Sequence, residues 1–378
     1  MTSGSANTDP SANRDIIGRD EIDDFEAILS VVGHEDPSGL HDVHNEYDTT
    51  FTWDYEKGAR PQLNKLYEKA KRSQWNGETD LPWDTDVDQE ALVIANAAAT
   101  GGFGGDIDLS GTPLVSWGDK EWLQFGVESQ NWTLSQFLHG EQGALVCTSK
   151  IVESVPWIDA KYYAATQVMD EARHVEVFAK YLNEKLSGHY PINAHLGALL
   201  DDIISDSRWD MTYLGMQIMV EGLALAAFGF MRQMTTDPLL QKLLRYVMAD
   251  EARHVAFGVL SLQEHYAGLS AHELRERQEF AFEAAVRMRD RFLQQEVWDR
   301  MGVDPKAVVP VLQQAPDRAV FQGLLFSKIV PNCKKLGLLD GADGWLRTKF
   351  TELGVIQFED WADTGEEYED FAAVPAAS

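Results

Sequence analysis

Asp170-Glu171-Ala172-Arg173-His174 and Asp250-Glu251-Ala252-Arg253-His254 are the same pentapeptide, 80 residues apart. Thirty residues before each motif glutamate stands another glutamate, Glu141 in HGEQGAL and Glu221 in VEGLALAAF, and that pair is also 80 apart. The chain therefore repeats a unit, a Glu followed by a Glu-x-x-His. On an α-helix, residues i and i+3 share a face with Cβ atoms about 5–6 Å apart, so both heads of a Glu-x-x-His can reach one metal ion. On a strand they would point to opposite faces. The flanks TQVMDEARHVEVFAKYL and LLRYVMADEARHVAFGVL carry no Gly or Pro before the motif and read as helix.

The 30-residue interval predicts where the chain turns. Ligands on the two arms of an antiparallel helical hairpin meet only if the turn lies near their midpoint. The midpoint of 141 and 171 is Pro156, and that of 221 and 251 falls in Thr235-Thr236-Asp237-Pro238. The second is a helix start, with a capping residue before proline at the first helical position. Each arm has about fifteen residues, or roughly 22 Å. Two such hairpins make a four-helix bundle. Glu141, Glu171, His174, Glu221, Glu251 and His254 are its candidate ligands for two metal ions. The ordinary alternative, solvated faces rich in Glu, Arg and His, does not account for equal spacings with turns at both midpoints. Asp170 and Asp250 are placed to orient the histidine of the opposite motif, because a metal-bound histidine usually donates its second N–H to a carboxylate. Arg173 and Arg253 would hold those aspartates.

The remaining chain also reads as helix, with no alternating strand pattern, so the expected fold is all-α. Residues 1–20 are rich in Ser, Asn, Asp and Gly and read as disordered. Helices are expected at about 20–32, 60–74, 88–98, 118–128, 132–153, 157–186, 194–205, 207–234, 237–266, 271–301, 304–314, 317–336 and 343–354. One domain over 21–360 is expected, with its metal bundle at about 120–266 and an acidic tail at 361–378. Gly101-Gly102-Phe103-Gly104-Gly105 lacks the Lys-Ser/Thr of a phosphate loop and reads as a connection.

Composition narrows the function. Apolar residues make up 44% of the chain, with 11 Trp and 17 Phe, enough for a large core. A formal net charge of −29 argues against nucleic acid, anionic membranes and an acidic carrier as partners. There is no run of 18 apolar residues, so no membrane span is expected. MTSGSANTDPSANRD does not read as a secretory signal. Cys147 and Cys333 read as buried thiols in a reducing cytoplasm rather than a disulfide.

With this ligand pattern the chain resembles the ferritin-like superfamily of di-iron carboxylate proteins, whose bundles place one Glu on each of two helices and a Glu-x-x-His on each of the other two. The D-E-x-R-H motif resembles that of bacterial multicomponent monooxygenases, and more loosely those of acyl-carrier desaturases, arylamine N-oxygenases and ribonucleotide reductase small subunits. The resemblance covers about residues 120–266. It implies a ferritin-like bundle with additional N- and C-terminal helices and two iron ions, Mn/Fe being the alternative. Glu141, Glu171 and His174 would bind one iron, and Glu221, Glu251 and His254 the other, with some carboxylates bridging. It further implies O2 as co-substrate and a ferredoxin or flavin reductase as electron donor, since no flavin or nicotinamide motif is present. A homodimer is also possible.

The sequence departs from each branch at one position. Reductase small subunits usually carry a tyrosine one turn after the first motif histidine, where this chain has Phe178. Monooxygenases and desaturases tend to carry a threonine one turn beyond the third glutamate, where Ala224 and Leu225 stand. Arylamine N-oxygenases carry an extra histidine one turn before the last glutamate, where Val247 stands. The neighbours on the ligand faces, Phe137, Leu138, Leu145, Phe178, Ala224, Leu225 and Phe228 with the amides Gln167 and Gln217, suggest a mostly apolar substrate pocket. The leading reading is an oxygenase that hydroxylates, N-oxygenates or desaturates a small, largely apolar organic molecule. Iron oxidation and storage is a second reading, disfavoured by the length outside the bundle. A radical-generating subunit is a third, disfavoured by Phe178.

Overall fold

Pro156 and the Thr235–Pro238 segment break two long helical runs where the ligand spacing requires. In the computed structural model, which describes residues 16–33, 41–46, 48–53, 56–99, 108–314, 321 and 323–361, the first hairpin is α4 (Asp119–Ser154) and α5 (Ile158–Lys185). The second is α7 (Trp209–Met234) and α8 (Pro238–Tyr266). Asp237 caps α8 by accepting from the Leu239 amide at 2.9 Å, and it also accepts from the Tyr181 hydroxyl at 2.6 Å. One side chain thereby starts a helix of the second hairpin and ties it to the first. The described residues contain helix and no strand.

Further helices surround the bundle. α1 (Phe25–Leu29), α2 (Pro61–Arg72) and α3 (Gln89–Ala99) precede it, and α6 (Ala194–Ser205) crosses between the hairpins. α9 (Ala271–Asp290) follows, opened by a capping box between Ser270 and Glu273, which satisfies two amides that a helix start otherwise leaves unpaired. α10 (Gln295–Arg300), α11 (Pro305–Leu312), α12 (Ile329–Lys335) and α13 (Trp345–Glu352) complete the chain. The main apolar core includes Trp132, Tyr163, Phe178, Phe228, Phe257 and Phe282. A smaller cluster around Trp298 joins α1 to α10 and α11.

Several boundaries differ from those expected. The helices anticipated at 118–128 and 132–153 are one helix of 36 residues, α4. The Ser129-Gln130-Asn131 stretch left between them is helical, because Asn131 and the Trp132 that follows are buried and bonded, Asn131 to Gln89 and Trp132 to Glu296. The helix expected over 271–301 is interrupted by a 3-10 turn at Arg291–Leu293 and by Gln294, whose φ is 54°. At the N-terminal end, the helix anticipated over 20–32 is confined to Phe25–Leu29. Residues 1–15, 101–105 and 362–378, with part of the 317–336 helix, lie outside the described residues.

Two features of α7 were not foreseen. Residues Leu214–Val220 wind as a π-helix immediately before Glu221. π turns inside α-helices are frequent at functional sites. The whole helix is also apolar and long enough to cross a membrane by length and composition, contrary to the expectation from apolar runs, and 72% of its most apolar window is buried inside the protein. Its apolarity is that of a bundle core helix.

Candidate metal centre

Each bundle helix delivers its share of one cluster. Glu141 comes from α4, Glu171 and His174 from α5, Glu221 from the first α-helical turn after the π segment, and Glu251 and His254 from α8. All six are buried, none more than 5% exposed. They form two groups. Glu141, Glu171, His174 and Glu251 each offer a ligand atom within 4.8 Å of the others, as do Glu171, Glu221 and His254.

The groups share carboxylates. His254 Nδ1 lies 3.0 Å from Glu171 Oε1, while His174 Nδ1 lies 3.5 Å from Glu171 Oε2. Glu251 is placed reciprocally, with Oε1 at 3.2 Å from His174 Nδ1 and Oε2 at 3.5 Å from His254 Nδ1. Both motif glutamates therefore lie between the two positions, and Glu141 and Glu221 flank them. Glu141 Oε2 is 3.3 Å from His174 Nδ1. Gln167 donates from Nε2 to Glu171 and to Glu221, each at 3.0 Å, fixing one bridging and one flanking carboxylate.

Behind the cluster lies a polar network. His174 Nε2 is 3.2 Å from Asp250 Oδ2, and His254 Nε2 is 3.4 Å from Asp170 Oδ2. An ionised aspartate can only accept, so each Nε2 carries a proton and each Nδ1 faces the cluster, where it would offer its lone pair once a metal ion displaces its proton. Asp170 receives Arg173 at 2.5 Å and Arg253 at 3.3 Å, and Asp250 receives Arg173 at 3.1 Å together with Arg253. Two residues that the sequence reading did not single out complete the shell. Trp75 Nε1 donates to Asp250 Oδ2 at 2.7 Å, and Gln74 Nε2 donates to Asp170 Oδ1 at 3.0 Å. They sit just beyond α2, and no local pattern in Gln-Trp announces a contact 96 to 175 residues away.

The charges decide what fits. With the imidazoles neutral, four ionised glutamates and two aspartates against two guanidiniums leave four negative charges in a buried site. Burying unpaired carboxylates is costly, and the side chains respond. Burial, with Glu251 beside it, pushes Glu141 up to about 8, and burial with Glu251 and Glu171 pushes Glu221 well above the carboxylate range. Burial opposes charge on both imidazoles, but Asp250 and Glu141 raise His174 well above its ordinary value, and Glu171 does so for His254. Among the described residues, Oε2 of Glu171, Glu221 and Glu251 have no hydrogen-bond partner. Two divalent cations would balance the four charges and satisfy those oxygens. The donor set, carboxylates with one imidazole per position, is that preferred by iron or manganese.

Beside the cluster lies a narrow cavity of about 20 Å³, lined among others by Phe137, Ala144, Ala224 and Phe228 with Glu141, Glu221, Glu251 and Arg291. Of the seven residues expected to form the pocket, Phe137, Ala224 and Phe228 line this cavity, and Leu138, Leu145, Phe178 and Leu225 do not. Helical side chains lean toward the N-terminus of their helix, so Phe137, one turn before Glu141, reaches the cavity. Leu138 and Leu145 are turned to half-buried positions on α4. Leu225 packs in the core. Phe178 stands behind the wall, its ring 5.7 Å from that of Phe228.

Residues 150–337 match the family model of the p-aminobenzoate N-oxygenase AurF. The match spans five of the six cluster residues and begins after Glu141. No curated protein matches the chain. Among solved structures, an R2-like ligand-binding oxidase with aerobically reconstituted metal cofactor after photoconversion is similar at 16% identity and TM-score 0.48, over 74% of this chain and 94% of that one. Another, an R2-like ligand-binding oxidase with aerobically reconstituted Mn/Fe cofactor, is similar at 17% identity and TM-score 0.46, over 75% and 92%. By the family match and the doubled carboxylate–imidazole cluster, the chain is similar to the di-iron carboxylate oxygenases and oxidases that its motifs resemble, and is an O2-dependent oxidoreductase.

Proposed function

We propose that this chain is a di-iron oxygenase that oxidises the nitrogen of a small aryl amine, with Glu141, Glu171, His174 and Glu251 holding one metal and Glu171, Glu221 and His254 the other. The observation that carries the metal assignment is the sharing of Glu171 between two buried groups, with Glu251 within 3.5 Å of both histidines, and four net negative charges that match two divalent cations. The choice of nitrogen as the atom oxidised is supported by the match to an N-oxygenase family. Val247 departs from the histidine that arylamine N-oxygenases carry one turn before the last glutamate, so the nitrogen donors here are His174 and His254 alone.

Iron held by these residues would supply the redox chemistry that activates O2 and oxidises the substrate. The protein's own groups do the rest. Asp250 and Asp170 hold the imidazole rings so that Nδ1 faces inward. Gln167 holds Glu171 and Glu221 in register. Glu171 and Glu251 each direct one oxygen toward His174 and the other toward His254, and would help hold the ions. Phe137, Phe178 and Phe228, with ring centroids 4.7 to 6.1 Å apart, exclude water from the same side. Electrons come from an external donor, a ferredoxin or flavin reductase, in a cytoplasmic setting.

The test is product analysis. The iron-loaded chain, supplied with a chemical reductant and O2, is given aniline and 4-aminobenzoate together with toluene and a fatty acid. Hydroxylamino, nitroso or nitro products from the amines support the reading. Hydroxylation of toluene alone would replace it with carbon oxidation, and turnover of iron into a ferric mineral without organic product would replace it with storage.

A further inference from the structure

At the end of the bundle where the first hairpin turns, aromatic rings form a stack that leads inward. Between ring centroids, Trp157 lies 5.2 Å from Trp209, Trp209 5.5 Å from Tyr213, Tyr213 5.0 Å from Phe257, and Phe257 4.3 Å from Tyr163. Sequence spacing ties the stack to the metal cluster. Trp209, Tyr213, Gln217 and Glu221 recur every four residues along α7, as Tyr163, Gln167 and Glu171 do along α5, and Phe257 stands three residues beyond His254. Tyr163, Tyr213 and Phe257 are buried. Trp209 is half-buried and lines an open cleft of about 670 Å³.

Charge distinguishes the rings. The cleft carries Glu46, Asp48, Asp210 and Glu273 against Arg208 and Arg277, and this acidic surplus favours positive charge on the Trp209 ring. Trp157 instead has the Arg60 guanidinium, held by Glu264, 4.2 Å from its ring centre, which opposes positive charge there. A phenol gives up an electron readily only together with its proton, and burial raises Tyr213 well above its ordinary value. An indole needs no such proton loss. Trp209 is therefore the ring of the stack on which a positive charge settles.

We propose that Trp209 is the outlet of a relay that discharges the oxidised metal centre when no substrate is present, with Tyr163 and Tyr213 as its buried stations. This rests on the oxygenase reading of the centre. In each event the Trp209 ring loses one electron, which passes by way of Tyr213 and Tyr163 to the centre and reduces it by one electron. The indole N–H proton leaves to solvent. A small one-electron reductant of the ascorbate class, entering the cleft, returns the electron, and solvent returns the proton. From Trp209 to Glu221 is twelve residues, at most about 18 Å of helix. Tunnelling falls steeply with distance, so transfer over that span needs intermediate rings.

The test follows the oxidised side chain rather than a product. The full chain is loaded anaerobically with Fe(II), mixed with O2 without substrate or reductant, and frozen for electron paramagnetic resonance. Iron per chain and O2 consumed are measured on the same samples, and oxidised residues are mapped by peptide mass spectrometry. A tryptophan radical is expected, with hyperfine splitting that collapses when the chain carries ring-deuterated tryptophan. Added oxygen should appear at Trp209 ahead of Trp53 and Trp361, which are 77% and 51% exposed and would be marked first by a diffusing oxidant. Trp209→Phe and Tyr213→Phe should each lose the tryptophan signal, and ascorbate should quench it in wild type. A signal that survives Trp209→Phe or ascorbate would overturn the proposal. So would oxidation centred on the exposed tryptophans, or on Trp75, whose indole is committed to Asp250. Should Trp209→Phe fail to fold, the labelled wild type and its peptide map still decide. A chain that holds two irons and consumes O2 without the radical fails only the relay, whereas a chain that holds no iron sinks the metal reading and the relay with it.

Discussion

Nε2 of His174 lies 3.2 Å from Oδ2 of Asp250, an aspartate of the other hairpin. The contact joins the two copies of the repeat, and its mirror image joins His254 to Asp170. Each hairpin therefore orients the imidazole that the other supplies, so neither half of the centre is complete alone.

Asp250→Asn should lower metal affinity by about 10- to 100-fold, the usual cost of losing a carboxylate behind a ligand histidine. The amide can present a donor to Nε2 and so favour the wrong tautomer of His174. Competition between Mn(II) and a chromophoric chelator reads the effect. An affinity within twofold of wild type would show that Asp250 has no part in orienting the histidine.

Trp75→Phe keeps most of the packing against Tyr246, whose ring lies 4.9 Å away, but removes the indole donor to Asp250. Hydrogen bonds to charged groups are worth about 1.5–3 kcal/mol, and the variant should lose about that much stability in urea. The loss should shrink in Asp250→Asn, since the same bond is already weakened. Additive effects would contradict the network.

Gly258 on α8 packs where a Cβ would lie 2.6 Å from Gln217 Cβ on the π segment. Inside an ordinary helix Gly→Ala gains about 1 kcal/mol. Here overpacking, typically about 1–3 kcal/mol, opposes that gain, and the contact is with a Cβ that cannot swing aside. Gly258→Ala should thus lower Tm and reduce metal loading by displacing the turn that presents Glu221. A rise in Tm would mean that the π segment moves freely.

Proton release on metal loading follows from the raised groups. Glu141 holds its proton in the folded chain up to about 8, against an ordinary value of 4.5. The folded state therefore binds more protons than the unfolded state between those values, and the metal-free fold loses stability as pH rises through that window. His174 and His254, raised above 6.5, act in the same sense. Their contribution is complete below 6.5 and is lost as pH rises through their folded values. Metal must displace these protons, so loading at pH 7 in weak buffer should release at least about two per chain. The metal-free Tm should fall from pH 6 to pH 9, and the loaded Tm should not. Metal uptake without proton release would contradict the assignment of Glu141 and the two imidazoles to it.

Ala224→Leu fills the cavity beside Glu221 without touching a carboxylate. Iron per chain should be unchanged while product formation falls more than about tenfold. Equal loss of both would place Ala224 in the scaffold of the centre instead.

The bundle was legible because one numerical relation, 30 residues within each copy and 80 between them, fixes helix phase, turn position and ligand set together. Pro156 and Asp237 then only had to agree, and the turns fall at 155–157 and 235–237. What escaped is long-range. Gln74 and Trp75 reach the aspartates from a loop whose sequence carries no sign of it, and nothing in the sequence sets Arg291, which lines the cavity beside the cluster, apart from Arg287 and Arg289. The π turn before Glu221 was hidden for another reason. It shifts the phase of α7 without changing its composition, and Leu-Gly-Met-Gln-Ile-Met-Val reads as ordinary helix. The pocket suffered from the same limit, since helical spacing places Leu225 as near to Glu221 as Ala224, and only packing separates them.

The central claim is that Glu171 serves both metal positions. The most direct test is metal stoichiometry after anaerobic Fe(II) loading of wild type, Glu171→Ala and Glu141→Ala, followed by rapid mixing with O2. About two irons per chain and a transient visible band are expected for wild type. Glu171→Ala should lose both irons, because its carboxylate belongs to both groups, whereas Glu141→Ala should weaken one position more than the other. Two irons retained in Glu171→Ala, or no stoichiometric binding in wild type, would contradict the account.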